Sequence, residues 1–96
     1  MPTVVWLPQA SKDIENHHNY LKTYSDSTAE KAAQAIVTAA SSLEFNPYKG
    51  AVIQEEAGLR KLPVSFGKYG YIIHYAILGD EIVILRVYHG RQNRPY

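Results

Sequence analysis

The chain has 96 residues and a formal net charge of +1, which leaves room for one core and excludes a polycation that coats nucleic acid. Apolar residues make up 46% and charged residues 20%, a globular balance rather than a disordered one. Cysteine is absent, which excludes disulfides, thiolate nucleophiles and thiolate metal sites, and no apolar run is long enough to span a membrane. The N-terminus shows no signal peptide, so the expectation is a single domain over residues 1–96, cytoplasmic and not membrane-bound.

Thr3 to Leu7 is β-branched and aromatic, and Pro8 closes it, which predicts a first strand. From Gln9 to about Tyr24 the pattern is helical. Ala10, Ile14, His17 and Leu21 recur at spacings of four, three and four, one face of a helix. Ser25-Asp26-Ser27 breaks it. Ser27 with Glu30 reads as a capping box that opens a second helix reaching about Leu43. Ala33, Ile36, Val37, Ala40 and Leu43 are its expected buried stripe. Its many alanines favour helix and allow close approach. Asn46-Pro47-Tyr48-Lys49-Gly50 reads as a turn.

Beyond it the period changes to two. Gly58 to Phe66 predicts a strand, and Pro63 within it points to an edge or a bulge. Tyr69–Leu78 and Glu81–His89 are the strongest strands, joined by a Gly79-Asp80 hairpin turn. Residues 90–96 form a polar tail. The economical fold is α+β: an antiparallel sheet of the N-terminal strand and three C-terminal strands, with the helical hairpin on one face. The uncovered face is expected to be concave and to bear tyrosines, a candidate binding surface.

Charge divides along the chain. Residues 1–57 carry four lysines against seven acids, a net of −3. Residues 58–96 carry six basic residues against Asp80 and Glu81, a net of +4, with all four arginines. An anionic partner is therefore expected at the C-terminal half.

No phosphate loop, nucleophile elbow or zinc-protease motif is present. His17 and His18 are adjacent on a helix and point about 100° apart, so they do not chelate one metal. No metal and no cofactor is expected. The end of the last strand is more informative: Arg86-Val87-Tyr88-His89-Gly90-Arg91 gathers two arginines, a tyrosine and a histidine. Alternation puts Arg86 and Tyr88 on one face, and Val87 and His89 on the other. Gly90 is expected to free the chain and re-aim Arg91. The candidates for binding a target or partner are Arg60, Tyr75, Arg86, Tyr88, His89, Arg91 and Arg94. A ribonuclease version would use Arg60, His89, Arg91 and Tyr96 as acid, base and charge-stabilising groups.

Three segments carry a resemblance. Gly58-Leu59-Arg60-Lys61-Leu62 is similar to a G-x-R-x-L strand, Tyr71-Ile72-Ile73-His74-Tyr75 to a Y-x-I-x-Y strand, and Glu81 to Arg91 to an I-x-I-L-R-V-x-H-G-R ending. Together they resemble the ParE/RelE superfamily, the toxins of type II toxin–antitoxin modules. The element order, the Asn46-Pro47 turn and the size agree. The resemblance implies a cognate antitoxin encoded alongside, a toxin–antitoxin hetero-oligomer, and one of two targets. ParE-like members block DNA gyrase and are not enzymes; RelE-like members cleave mRNA on the ribosome. The helical hairpin and the His89-Gly90-Arg91 ending look more ParE-like. Only Lys61 and Lys68 follow Lys49, which departs from a lysine-based ribonuclease site.

Overall fold

The computed structural model describes residues 2–95. Its elements run β1 (Thr3–Trp6), α1 (Pro8–Lys22), α2 (Asp26–Ser42), β2 (Ala51–Gln54), β3 (Leu59–Val64), β4 (Tyr71–Leu78) and β5 (Glu81–His89). One sheet holds the five strands in the order β1-β5-β4-β3-β2. The expected α+β class is present, with both helices on one face.

Two features of the sheet differ from expectation. β1 runs parallel to β5, from Thr3 opposite Glu81 to Trp6 opposite Ile84, so the sheet is mixed. Its pairing partner lies at the far end of the chain, and nothing local in Thr3–Trp6 encodes the direction. The second difference is β2, antiparallel to β3. Its four residues are too few to show an alternation, and a register shift between Val52 and Gln54 interrupts them. β2 accompanies β3 only as far as Lys61, so Pro63 lies in an edge stretch, as its missing N–H requires.

The helices begin where local chemistry allows. Pro8 stands in the first turn of α1, where its missing N–H is no loss. α2 is capped by Ser25, whose hydroxyl accepts from the Thr28 N–H at 3.2 Å; the expected Ser27 box is displaced by two residues. Asp26 then occupies the first turn, favourable against the helix dipole, and Glu30 pairs with His18 at 3.1 Å instead. Buried Ala10, Ala29, Ala32 and Ala40 let the helices approach each other and the sheet closely. α1 packs on β5, and α2 reaches β3 and β4. Ile36 of α2 and Leu43, its C-cap residue, meet Leu62, Ile73, Tyr75, Ile82, Ile84 and Val87 of the sheet in one core.

β5 changes phase partway along. Tyr75 pairs with Ile84 and His74 with Arg86, so Leu85 is an extra residue in β5. Such a bulge moves every later side chain to the other face. Ile82 and Ile84 therefore share the helix-covered face with Val87. Without the bulge, Arg86 and Tyr88 would lie under α1.

The same segment has lost its outer neighbour. β1 ends opposite Ile84, so beyond it the edge of β5 faces α1. Asp13 and His17, one helical turn apart on α1, take over there. The Val87 N–H donates to Asp13 Oδ2 at 2.9 Å, and His17 Nε2 lies 2.9 Å from the Val87 carbonyl oxygen. A carbonyl only accepts, so His17 carries its proton on Nε2. Arg86 closes the arrangement with Nε to Asp13 Oδ2 at 2.8 Å and Nη2 to Oδ1 at 3.2 Å. Gln9 adds a bond at 3.1 Å. Asp13 is 6% exposed. Burial alone would push its pKa up; the bonds from Arg86, Val87 and Gln9 outweigh that and hold it below the ordinary 3.8.

The two faces of the sheet also differ from expectation. Tyr71, Ile73 and Tyr75 lie in the helix-covered core. The uncovered face carries Lys61, His74 and Arg86 in one cross-strand row, with Tyr88 against His74 at 4.8 Å. On β4 the even-numbered residues lie on this face and the tyrosines do not; the tyrosine it bears is Tyr88 of β5, and His74, Ala76 and Tyr88 are nearly buried there.

Replacing Asp13 by Ala leaves the Val87 N–H and the Arg86 guanidinium without their acceptor. Urea unfolding is expected to show a loss of about 3 kcal/mol. The lowered pKa of Asp13 means that its contribution is complete above the unfolded-state value. It is lost as pH falls through the lower folded value. Wild-type stability should therefore drop below about pH 4, and the Asp13→Ala variant should show less of that drop.

Candidate functional site

The bulge brings His89 to the helix side, where it meets the C-terminal half of α1. Between them lies a cleft of about 610 Å³. Its floor is Tyr71, with the His17 ring centroid at 5.0 Å and that of His89 at 5.5 Å. Tyr20 and Leu21 form the helical wall, and Tyr69, Arg91 and Gln92 the opposite one. The Arg91 guanidinium lies over the Tyr69 ring, 4.9 Å from its centroid, and Lys68 Nζ is 5.4 Å from the same centroid. No carboxylate is among the described lining residues.

Local backbone geometry sets this end of β5. The Gly90 N–H donates to the Gly70 carbonyl at 2.9 Å. A Cβ on Gly90 would collide with the Tyr69 carbonyl oxygen. Gly90 is not among the glycines with positive φ, so close approach, not an unusual backbone angle, demands glycine here. Gln92 Oε1 accepts from the His89 N–H at 3.1 Å, and the Arg91 N–H donates to His89 Nδ1 at 3.2 Å. Neutral His89 therefore carries its proton on Nε2. Burial first, then the neighbouring His17 and Arg91, hold its pKa below the ordinary 6.5.

The other candidates lie elsewhere and have other partners. Arg60 donates to the Tyr48 carbonyl at 3.1 Å and to the Gly50 carbonyl at 2.7 Å, and stacks on Tyr48 at 5.1 Å. Tyr75 is fully buried. Its hydroxyl donates to the Pro47 carbonyl at 2.8 Å and accepts from the Gly50 N–H at 2.9 Å. Both residues secure the 46–50 turn, and Gly50 leaves the space that the Tyr75 hydroxyl fills. Arg86 is held by Asp13 and lies over the Tyr88 ring at 4.9 Å; Tyr88 is itself buried. Arg94 donates to the Gly90 carbonyl at 3.3 Å. Burial, then the charges of Arg94, Lys61 and Arg86, lower the pKa of His74, which favours the neutral imidazole at this nearly buried position. Tyr96 lies outside the described residues.

Of the described members of the ribonuclease set, His89 and Arg91 come together and Arg60 does not. Arg60 pairs with Tyr75 and His89 with Tyr71. That is a separation of about 13 Å along the strand direction, on strands that are not neighbours. Among the described residues there is no metal-binding group of three or more histidine or acidic side chains. No helix among them is long and apolar enough to cross a membrane. His17, Tyr20, Tyr69 and Tyr71 complete the cleft without having been singled out from the sequence as site residues. Their sequence signals are that His17 shares a helix stripe with Leu21 and that Tyr71 opens the Y-x-I-x-Y segment.

Comparison with known proteins places this geometry in a family. Residues 4–94 match the model of the "ParE toxin of type II toxin-antitoxin system, parDE". The chain is 30% identical over 94 residues to toxin RelE3 of Caulobacter vibrioides, covering 98% of this chain and all of that protein. It is 25% identical over 92 residues to toxin RelE1 of the same organism, covering 96% and 97% respectively. Among solved structures it resembles a chain of the chromosomal ParDE toxin–antitoxin system from P. aeruginosa. The TM-score is 0.77 and the identity 26%, over 93% of this chain and 96% of that one.

A proton NMR titration of the histidine rings checks the cleft's electrostatics. His89 should titrate below 6.5. Arg91→Ala should raise its midpoint without restoring the ordinary value, because burial is the larger cause. A midpoint at or above 6.5 in the wild type would contradict the geometry described.

Proposed function

The chain belongs to the ParE toxin family of type II toxin–antitoxin systems, and from that premise we propose that it inhibits DNA gyrase by binding, without catalysis of its own. The family implies a cognate antitoxin that holds it silent in a hetero-oligomer. The toxin is proposed to act in the cytoplasm, where gyrase and the antitoxin are met.

The observation that supports a binding mode is the dispersal of the cations. Cleavage of an RNA phosphodiester needs an acid, a base and charge stabilisation converging on one phosphate. Here Arg60 is engaged by carbonyls of the 46–50 turn, and Arg86 is neutralised by Asp13. Neither reaches the group formed by His89 and Arg91. What the sheet end offers is an aromatic cleft with an arginine that pairs with no carboxylate of the described residues, and Lys61 on the uncovered face. Such an arrangement suits a protein surface of opposite charge.

A second reading, ribosome-dependent mRNA cleavage, draws on one feature. His17 and His89 lie in the same cleft as Arg91, and two imidazoles can act as an acid–base pair.

A supercoiling assay separates the two. The proposal expects gyrase activity to fall as the protein is added, and Arg91→Ala to weaken inhibition by about tenfold. Normal supercoiling at excess protein, with cleavage of mRNA on stalled ribosomes, would overturn it in favour of the second reading.

A further inference from the structure

The cleft between α1 and the end of β5 has a composition that limits what can occupy it. At about 610 Å³ it falls within the range of built ligand sites, roughly 300–1,000 Å³. Its interior is aromatic and aliphatic, and its rim carries Tyr20, which is 64% exposed. The Arg91 guanidinium lies over the Tyr69 ring. An arginine so placed is pre-organised, with its fork of donors available at the edge. No carboxylate pairs with Arg91 among the described residues. His89 has its Nδ1 occupied by the Arg91 N–H, which leaves Nε2 as its remaining donor.

We propose that this cleft seats one anchor of the cognate antitoxin: an aromatic or large apolar side chain among the rings, with an adjoining carboxylate on Arg91 and His89. The proposal rests on the reading of the chain as a toxin silenced by a protein partner. Charge complementarity selects the occupant: the described lining residues are cationic or neutral, with no acid among them. A nucleic acid suits it less well. Strands need several phosphate contacts in a row and open ring faces on which bases stack. This cleft has a single arginine in its wall. Tyr71 is 4% exposed, and Arg91 itself covers one face of Tyr69. The remaining space fits a single desolvated anchor with one charge beside it, the form that dominates protein interfaces. α1 also holds the Val87 backbone at the cleft's inner end, so the pocket is formed before the partner arrives.

The test uses the full chain and three probes, with histidine ring signals followed by NMR. The probes are N-acetyl-Phe-Glu amide, N-acetyl-Phe-Gln amide and adenosine 5′-monophosphate. The glutamate peptide is expected to shift His17 and His89 while leaving His18 in place, and to bind about tenfold more tightly than the glutamine peptide. Arg91→Gln should erase that preference, and Tyr20→Ala should weaken both peptides. Equal binding of the two peptides, no shift from either, or a stronger response to the nucleotide would overturn the proposal. A supercoiling assay run in parallel keeps the readings apart. Peptide binding without gyrase inhibition supports the cleft's role and overturns only the target. Gyrase inhibition without peptide binding overturns only the cleft's role.

Discussion

Val87 has no strand on its outer side, and the structure depends on how that edge is satisfied. An unpaired backbone N–H and C=O in a buried place each cost on the order of a lost hydrogen bond. β1 is too short to reach them. α1 supplies Asp13 to the N–H and His17 to the C=O instead, so a helix does what a longer β1 would have done. Arg86 makes the carboxylate tolerable there, since a buried acid needs a partner. One residue pair on α1 thereby sets where the helix lies along β5.

The functional surface inherits that placement. The Leu85 bulge turns His89 toward α1, and His17 stands ready beside it because it is already bound to Val87. The Gly90–Gly70 approach then directs Arg91 over Tyr69. Cleft and clamp are thus two parts of one construction. The uncovered face follows from the same bulge: Arg86 and Tyr88 turn outward to join His74 and Lys61. The C-terminal cations are thereby divided, Arg91 going to the cleft and Lys61 and Arg86 to the other face, where Asp13 neutralises Arg86.

Much of the fold was legible from periodicity. The α1 stripe, the α2 alanines and the strong hairpin of β4 and β5 each carry a pattern longer than one turn or three alternations. What escaped was short or non-local. β2 has four residues and an interruption, and the direction of β1 depends on a strand nearly the whole chain away. The bulge did leave a trace, a change of parity from Ile82 and Ile84 to Val87. Asp13 also left one, since it lies on the same helical stripe as Ala10 and His17, where an acid demands a partner. Of the site, the His89-Gly90-Arg91 cluster was visible as chemistry crowded into a few residues. Arg60 and Tyr75 looked similar by type, yet they serve the 46–50 turn, and residue type alone does not distinguish a binding arginine from one that caps carbonyls. His17 and Tyr71 gained their place in the cleft only from tertiary contacts.

The clamp on Val87 is the account's central claim, and native-state amide hydrogen exchange tests it most directly. If Asp13 and His17 replace a neighbouring strand, the Val87 N–H exchanges only through global unfolding, as slowly as the amides in the β4–β5 ladder. Fast exchange of Val87, at the rate of an open sheet edge, would contradict it.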